Sequence, residues 1–152
     1  YTDPDDAQDS EDLDKKYKLI GKAALFNHAR EHLFFFRMRE STNEDDLPIE
    51  LFVIDDSEAE FPKSSFRFIN FMKAPLMIQF DRRPFCIEPS ASMVRKLDLP
   101  DTGSFTPFVV ADLEGRTLGG TRIFGHATNR EMVLIFPPKE GKKRLDIRFF
   151  SD

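Results

Sequence analysis

Tryptophan is absent from this chain of 152 residues, cysteine occurs once and glycine only seven times. The single cysteine, Cys86, excludes an internal disulfide. No run of about 18 apolar residues occurs, so no segment is predicted to cross a membrane as a helix. Glycine and proline are too few to indicate disorder, and the length is sufficient for one domain with a hydrophobic core.

The motifs of the common enzyme classes are also missing: there is no nucleophile elbow, no phosphate-binding loop and no dinucleotide fingerprint. His28 and His32 have the spacing of two helical metal ligands, but they flank a predicted turn and no carboxylate or cysteine completes a site. His126 has no evident serine or cysteine partner. Asp55 and Asp56 fall on a predicted loop, and a glycosidase pair stays an open alternative, because the sequence does not give distances. We predict no enzyme activity and no catalytic, cofactor-binding or metal-binding residues.

Phenylalanine is the abundant aromatic residue, with 17 Phe against 2 Tyr. Phe suits the half-buried surface of a strand, so the composition predicts a core built from phenylalanine. Cys86 lies in the short apolar segment Phe85–Ile87. We predict a buried, inert thiol there, in preference to a reactive nucleophile.

Acidic residues are concentrated at the N-terminus. The formal net charge is −5 and the first 14 residues contribute −7 without any base, so residues 15–152 carry +2. We predict that residues 1–16 form an acidic flexible tail. Calcium binding is the alternative, although the glycine and final glutamate of an EF-hand loop are missing. Because the chain begins with Tyr1 and not with methionine, we expect a processed or truncated product with any export signal or anchor upstream.

Basic residues form one small cluster near the C-terminus, which consists of Lys139, Lys142, Lys143 and Arg144. No pattern of interleaved basic and aromatic residues accompanies this cluster, and the whole chain is acidic. Nucleic-acid binding is therefore not predicted.

The stretch from Phe61 to Val94 organises the predicted fold, because short apolar segments and turn residues alternate in it. Strands are predicted over Phe66–Met72, Leu76–Phe80 and Phe85–Ile87, with a fourth that begins at Met93. Both faces of the first strand carry apolar residues, so both are expected to be covered. Asn70 would lie among them. We predict that its amide ties down a turn or a neighbouring strand, and contact with a ligand is the alternative.

The rest of the chain also predicts short strands separated by turns. They cover Tyr17–Phe26, Leu33–Met38, Ile49–Ile54, Phe105–Ala111, Arg116–Gly125, Met132–Phe136 and Arg144–Phe149, with a polar loop at Ser41–Asp46. Gly119 and Gly120 indicate a bulge. The pattern predicts an all-β fold, an immunoglobulin-like antiparallel β-sandwich of about ten short strands that spans residues 17–152 as a single domain. Phe68 and Phe136 are predicted to lie in its interior.

The order of several short motifs resembles a family of small exported β-proteins of Verrucomicrobia-type bacteria. The matching pieces are Leu25-Phe26 with Leu33–Phe36, Phe61-Pro62 with Ser65–Asn70, Ile87–Pro89, and Leu134–Pro137 with Arg144–Asp152. Some exported proteins of this kind resemble immunoglobulin-like components of type IV pilus-like or archaellum systems. The resemblance implies a cell-envelope role without catalytic residues. The chain departs from true immunoglobulins because it lacks their Cys…Trp…Cys core.

These features together predict a non-enzymatic, exported protein of the periplasm, outer membrane or cell surface. It would be tethered through an upstream segment and act by contact with other envelope or pilus-like proteins, without cofactors. The alternative is a glycan-binding β-sandwich module. Such a module would display the faces of aromatic rings, whereas a core rich in phenylalanine hides them.

Deletion of residues 1–14 is expected to leave the melting temperature almost unchanged, because the segment offers hardly any apolar side chain for burial. Thermal unfolding followed by circular dichroism measures the effect. A large decrease in the melting temperature would show that the segment adds a strand or binds a metal ion.

Overall fold

The computed structural model of the protein describes residues 20–38 and 47–152. These residues form ten strands and no helix, which confirms the predicted all-β class. The strands are β1 (His32–Met38), β2 (Ile49–Asp55), β3 (Ser65–Asn70), β4 (Leu76–Phe80), β5 (Arg83–Ile87), β6 (Ser92–Lys96), β7 (Ser104–Ala111), β8 (Thr117–Gly125), β9 (Arg130–Phe136) and β10 (Asp146–Ser151). The described part of the chain accordingly holds no helix that could span a membrane. The chain divides into two compact units, Tyr1–Ile54 and Asp55–Asp152.

In the first unit, β1 and β2 form a two-stranded sheet. The strand predicted over Tyr17–Phe26 is wrong in its described part, because residues 20–26 have no strand pairing and most of their side chains are exposed. One backbone bond, from the amide of Ile49 to the carbonyl of Ile20 at 2.9 Å, holds this segment beside β2. Residues 20–26 are mostly apolar, but they have no buried face. A single backbone hydrogen bond is not the repeated pairing that defines a strand. The predicted loop at Ser41–Asp46 lies outside the described residues.

The second unit consists of two four-stranded sheets. Sheet I has the order β10-β9-β3-β6 and sheet II the order β5-β4-β7-β8. Five of the six strand pairs are antiparallel, but β3 and β9 run parallel. The predicted antiparallel pairing is therefore wrong at this one pair. Parallel neighbours need a long crossover, and here the whole of sheet II is built between β3 and β9 along the chain.

The core lies between the inner faces of the two sheets, where Phe68 of β3 is fully buried. Its ring centroid lies 4.9 Å from that of Phe80, 5.4 Å from that of Phe85 and 5.5 Å from that of Phe108. All three neighbours belong to sheet II, so this aromatic cluster joins the two sheets. Offset and edge-on aromatic pairs of this kind contribute about 0.5–1.5 kcal/mol each beyond the area that they bury. The predicted interior position of Phe68 is confirmed.

Phe136 does not lie in this interior. Alternation along β9 directs Val133 and Ile135 inward, so Phe136 lies on the outer face of sheet I and is only partly buried. There its ring stacks on that of Phe71, with centroids 4.7 Å apart and an interplanar angle of 4°. The guanidinium of Arg148 covers the other side, 4.8 Å from the centroid. The continuous apolar run of β9 hid this from the sequence, because such a run does not show which alternate positions face inward.

Asn70 ends β3 and is completely buried. Its side-chain nitrogen donates to the carbonyl oxygens of Ala74 at 2.9 Å, Ile87 at 3.0 Å and Glu88 at 3.2 Å. Its side-chain oxygen accepts a bond from the amide of Met72 at 2.8 Å. The prediction that Asn70 ties down a turn and a neighbouring strand is confirmed.

Replacement of Asn70 with alanine is expected to lower the free energy of unfolding by about 2–4 kcal/mol, because buried carbonyl groups lose their donor. Gln79→Ala is the control, since the amide of Gln79 is exposed on β4 and its loss should cost less than about 0.5 kcal/mol. Urea unfolding of the two variants beside the parent measures both values. Equal midpoints for the two variants would contradict the assigned role of Asn70.

Candidate functional site

The histidines singled out in the sequence do not meet in a metal site. His126 lies in the turn before β9, where its Nδ1 is 2.8 Å from the hydroxyl of Thr128. His28 lies in a turn and His32 begins β1. Within residues 20–38 and 47–152, no group of three or more His, Cys, Asp or Glu side chains is placed to hold a metal ion.

Asp56 belongs to a partly buried ionic cluster beside sheet I, in which the side chain of Arg67 is buried. Its carboxylate lies 3.5 Å from a guanidinium nitrogen of Arg67 and 3.7 Å from one of Arg130. The ring of Phe61 lies against both cations, with its centroid 4.5 Å from Cζ of Arg67 and 5.2 Å from that of Arg130. Burial lowers the pKa of Arg67, and the nearby Asp56 carboxylate opposes that shift. The cluster ties the segment after β2 to β3 and β9, so these residues have a structural explanation.

Both carboxylates named for the glycosidase alternative, those of Asp55 and Asp56, are engaged in local contacts. The Oδ1 atom of Asp55 accepts a bond from the amide of Ser57 at 2.9 Å, which caps a turn. The carboxylate of Asp56 lies beside the guanidinium groups of Arg67 and Arg130. The backbone carbonyl of Asp56 also accepts a bond from Arg130 at 2.9 Å.

Glu131 is the second residue of β9, and it is buried. Burial raises its pKa above the ordinary value, while a bond of 2.8 Å donated by the hydroxyl of Ser151 acts in the opposite direction. The raised pKa of this carboxyl has a consequence for the stability of the fold.

Glu131→Gln is expected to raise the melting temperature at neutral pH, because an uncharged amide can accept the Ser151 bond without ionic desolvation. The native carboxyl keeps its proton to higher pH than the unfolded one, whose pKa is near 4.5. The parent therefore loses stability relative to the variant as pH rises through the raised pKa, and the difference should vanish in acid. Thermal unfolding across pH tests this, with the exposed Glu140→Gln as control. An unchanged difference at all pH values would contradict the expectation.

The outer face of sheet II is the unusual surface of the second unit. Alternation places the core residues of β4, β5, β7 and β8 on the inner side, and strand pairing then assigns the outer side. Twelve residues share this outer face: Met77, Gln79, Pro84, Cys86, Phe105, Pro107, Val109, Ala111, Thr117, Gly120, Arg122 and Phe124. Arg122 is the only charged residue among them. We refer to this set as the sheet II face.

Phe105 and Phe124 form an exposed aromatic pair at one end of the sheet II face. Phe105 is 64% exposed and Phe124 is 45% exposed. The two residues are directly paired across β7 and β8, and their rings meet edge to face at 5.1 Å and 61°. Gly103 makes room for this arrangement, because a Cβ atom there would lie 2.2 Å from Cζ of Phe124 and its φ is +75°.

Cys86 lies on the same face and is half-buried. The prediction of a buried thiol is therefore wrong in its degree of burial, because Phe85 and Ile87 take the inward positions of β5 and leave Cys86 outside. Its sulfur lies 4.0 Å from a carboxylate oxygen of Glu88.

A cleft of about 440 Å³ adjoins the other end of the sheet II face. Its lining consists of Val109, Thr117, Leu118, Gly119, Gly120, Lys143 and Arg144. The predicted bulge lies here, since Val110 pairs with Gly119 and Ala111 with Thr117, which leaves Leu118 as the extra residue. The lining of the cleft thus combines apolar side chains, the backbone of two glycines and two cations from the basic cluster.

The sheet II face could not be predicted from the sequence, because both faces of β7 carry Phe and Val residues. Phe108 and Val110 are inward and Phe105 and Val109 are outward, yet the four residue types are alike. The available signal was the absence of any charge from Ser104 to Ala111. No protein-family model and no curated protein matches this chain.

Proposed function

We propose that the protein is a non-catalytic binding module and that the sheet II face is its contact surface for another protein. The observation that carries the proposal is the composition of that face, where one charge occurs among twelve residues and two phenylalanine rings are exposed. An antiparallel sheet with one solvated face normally alternates apolar and polar residues. Continuous exposed apolar surface is a feature of interaction sites.

Phe105 and Phe124 are the expected anchors of this contact. Large aromatic side chains contribute much of the binding free energy at protein interfaces, and the surrounding residues mainly exclude water. Pro107, Val109 and Met77 would supply that apolar surrounding. Arg122, opposite Pro107 in the pairing, would add the one charged contact.

The first unit displays a smaller surface of the same kind. Phe34, Phe36 and Met38 alternate along β1 and are 43%, 71% and 72% exposed. Alternate residues of a strand share a side. This apolar strip also favours a protein that works through contacts with partners.

Glycan binding is the second candidate, and the exposed ring of Phe105 favours it. Sugars stack on the open faces of aromatic rings. However, Phe105 and Phe124 meet at 61°, so the two rings do not form one flat platform. A protein partner, which can fill the angle between them, suits this geometry better.

An exported location, an immunoglobulin-like relationship and a role among envelope or pilus-like proteins belong to the same proposal. They rest on the sequence motifs given above and on the two-sheet architecture of the second unit. Fractionation of source cells tests the location, and recovery in the cytoplasmic fraction alone would contradict it.

A photo-crosslinking residue at Gln79, which is exposed near the middle of the sheet II face, is expected to give discrete adducts in source cells. The same residue at Glu140, which is exposed in the loop before β10, is the control and should give none. Phe105→Ser combined with the Gln79 crosslinker should weaken the adducts about tenfold or more, because an aromatic anchor is lost.

Adduct mass then identifies the partner, and an adduct of twice the chain's mass would identify a second copy. Circular dichroism of Phe105→Ser shows that the fold is retained. Equal crosslinking from Gln79 and Glu140, or adducts that do not depend on Phe105, would contradict the proposed surface.

A further inference from the structure

Strand β8 is an edge strand, since it pairs with β7 alone in sheet II. An edge strand has one row of backbone donors and acceptors without a partner in the sheet, and extended peptides can add to such an edge. The cleft lies along the first part of β8, at Thr117, Leu118, Gly119 and Gly120. Gly120 packs closely against β7, because a Cβ atom there would lie 2.8 Å from the carbonyl oxygen of Phe108.

Two cationic side chains, those of Lys143 and Arg144 in the loop before β10, also line the cleft. Neither Lys143 nor Arg144 forms an ion pair within the described ranges 20–38 and 47–152, whereas Lys139 and Arg148 both pair with Asp146. The chain that follows Lys143 and Arg144 comes close to β8 at Gly119, where a Cβ atom would lie 3.3 Å from Cδ1 of Ile147. The two cations therefore stand beside an open strand edge without a counter-charge from the described residues.

The remaining lining is apolar. Val109 and Leu118 contribute aliphatic side chains, and Thr117 contributes the only hydroxyl group. Val109 also belongs to the sheet II face, so the cleft and that face are continuous. A ligand that fits must carry negative charge toward Lys143 and Arg144 and apolar groups toward Val109.

We propose that this cleft binds an extended, acidic segment of the partner protein, with its backbone along β8 and its carboxylates at Lys143 and Arg144. The inference rests on the proposed function, and it names the chemistry of the partner. Carboxylates pair well with guanidinium and ammonium groups, and alternate apolar side chains of an extended segment would face Val109 and Leu118.

An acidic peptide fits better than an acidic glycan. The cleft has no Asn, Gln, Asp or Glu side chain, and sugar hydroxyls require several such hydrogen-bonding partners. An extended peptide instead needs the strand edge that is present. Its apolar side chains also account for the aliphatic part of the lining.

The test is an NMR titration of the ¹⁵N-labelled full chain with a short peptide that alternates aspartate and valine. A peptide that alternates lysine and valine has the same apolar content and is the matched control. The aspartate peptide should shift the amide signals of residues 117–120 and 143–144. Its affinity should fall about tenfold when salt is raised well above physiological strength, because ionic contacts are screened.

The double variant Lys143→Glu/Arg144→Glu should abolish these shifts. Lys73→Glu/Lys96→Glu changes the net charge equally at two other exposed lysines and should leave them intact. Binding that survives Lys143→Glu/Arg144→Glu, equal binding of the lysine peptide, or no shift with either peptide would overturn the acidic-peptide inference. Shifts with an oligogalacturonate but with neither peptide would also overturn it, in favour of a glycan.

The proposed function is judged separately by the crosslinks from Gln79. Crosslinks that depend on Phe105 together with a failed peptide titration would retain the sheet II face and reject the acidic segment. Failure of the crosslinks together with a successful titration would restrict binding to the cleft.

Discussion

A buried amide on Asn70 joins the two sheets of the second unit. Asn70 stands at the end of β3 in sheet I, and its side chain donates to carbonyls in the connection before β4 and at the end of β5 in sheet II. A buried donor without a partner is costly, so this geometry is strongly preferred once the site closes. The backbone of Asn70 adds two further links, with Ala91 at 3.0 Å and Ser90 at 2.9 Å. The cluster of rings around Phe68 packs the sheets together, while Asn70 determines where the chain passes between them.

Sheet II carries two apolar faces, and only one of them has a partner sheet. The inner face packs on β3 and β9 through Phe108 and its neighbours. The outer face of sheet II has almost no charge, although it is not buried between the sheets. Folding alone would permit charged residues there, and they would oppose aggregation. The proposed binding role would account for the exposed rings of Phe105 and Phe124.

Alternation and turn residues predicted most of the strands from β1 to β10, and they predicted the structural role of Asn70. They failed where tertiary partners decide the outcome. The segment of residues 20–26 reads as a strand but gains one backbone bond and no packed face. The parallel pairing of β3 with β9 depends on the path of the chain through sheet II, which local pattern does not contain. The basic cluster was visible in the sequence, whereas the cleft beside it depends on the approach of residues 143–147 to Gly119.

We propose that the sheet II face is free for binding because the fold does not depend on it. Comparison of Phe105→Ala with Phe108→Ala tests that claim most directly, since the two rings lie on opposite faces of β7. Urea unfolding should show that Phe108→Ala lowers the free energy of unfolding by about 3–5 kcal/mol, as is usual for an emptied aromatic site. Phe105→Ala should lower it by less than about 1 kcal/mol. If Phe105→Ala proved as costly as Phe108→Ala, the exposed ring would be part of the core and the sheet II face would lose its claim to be a binding surface.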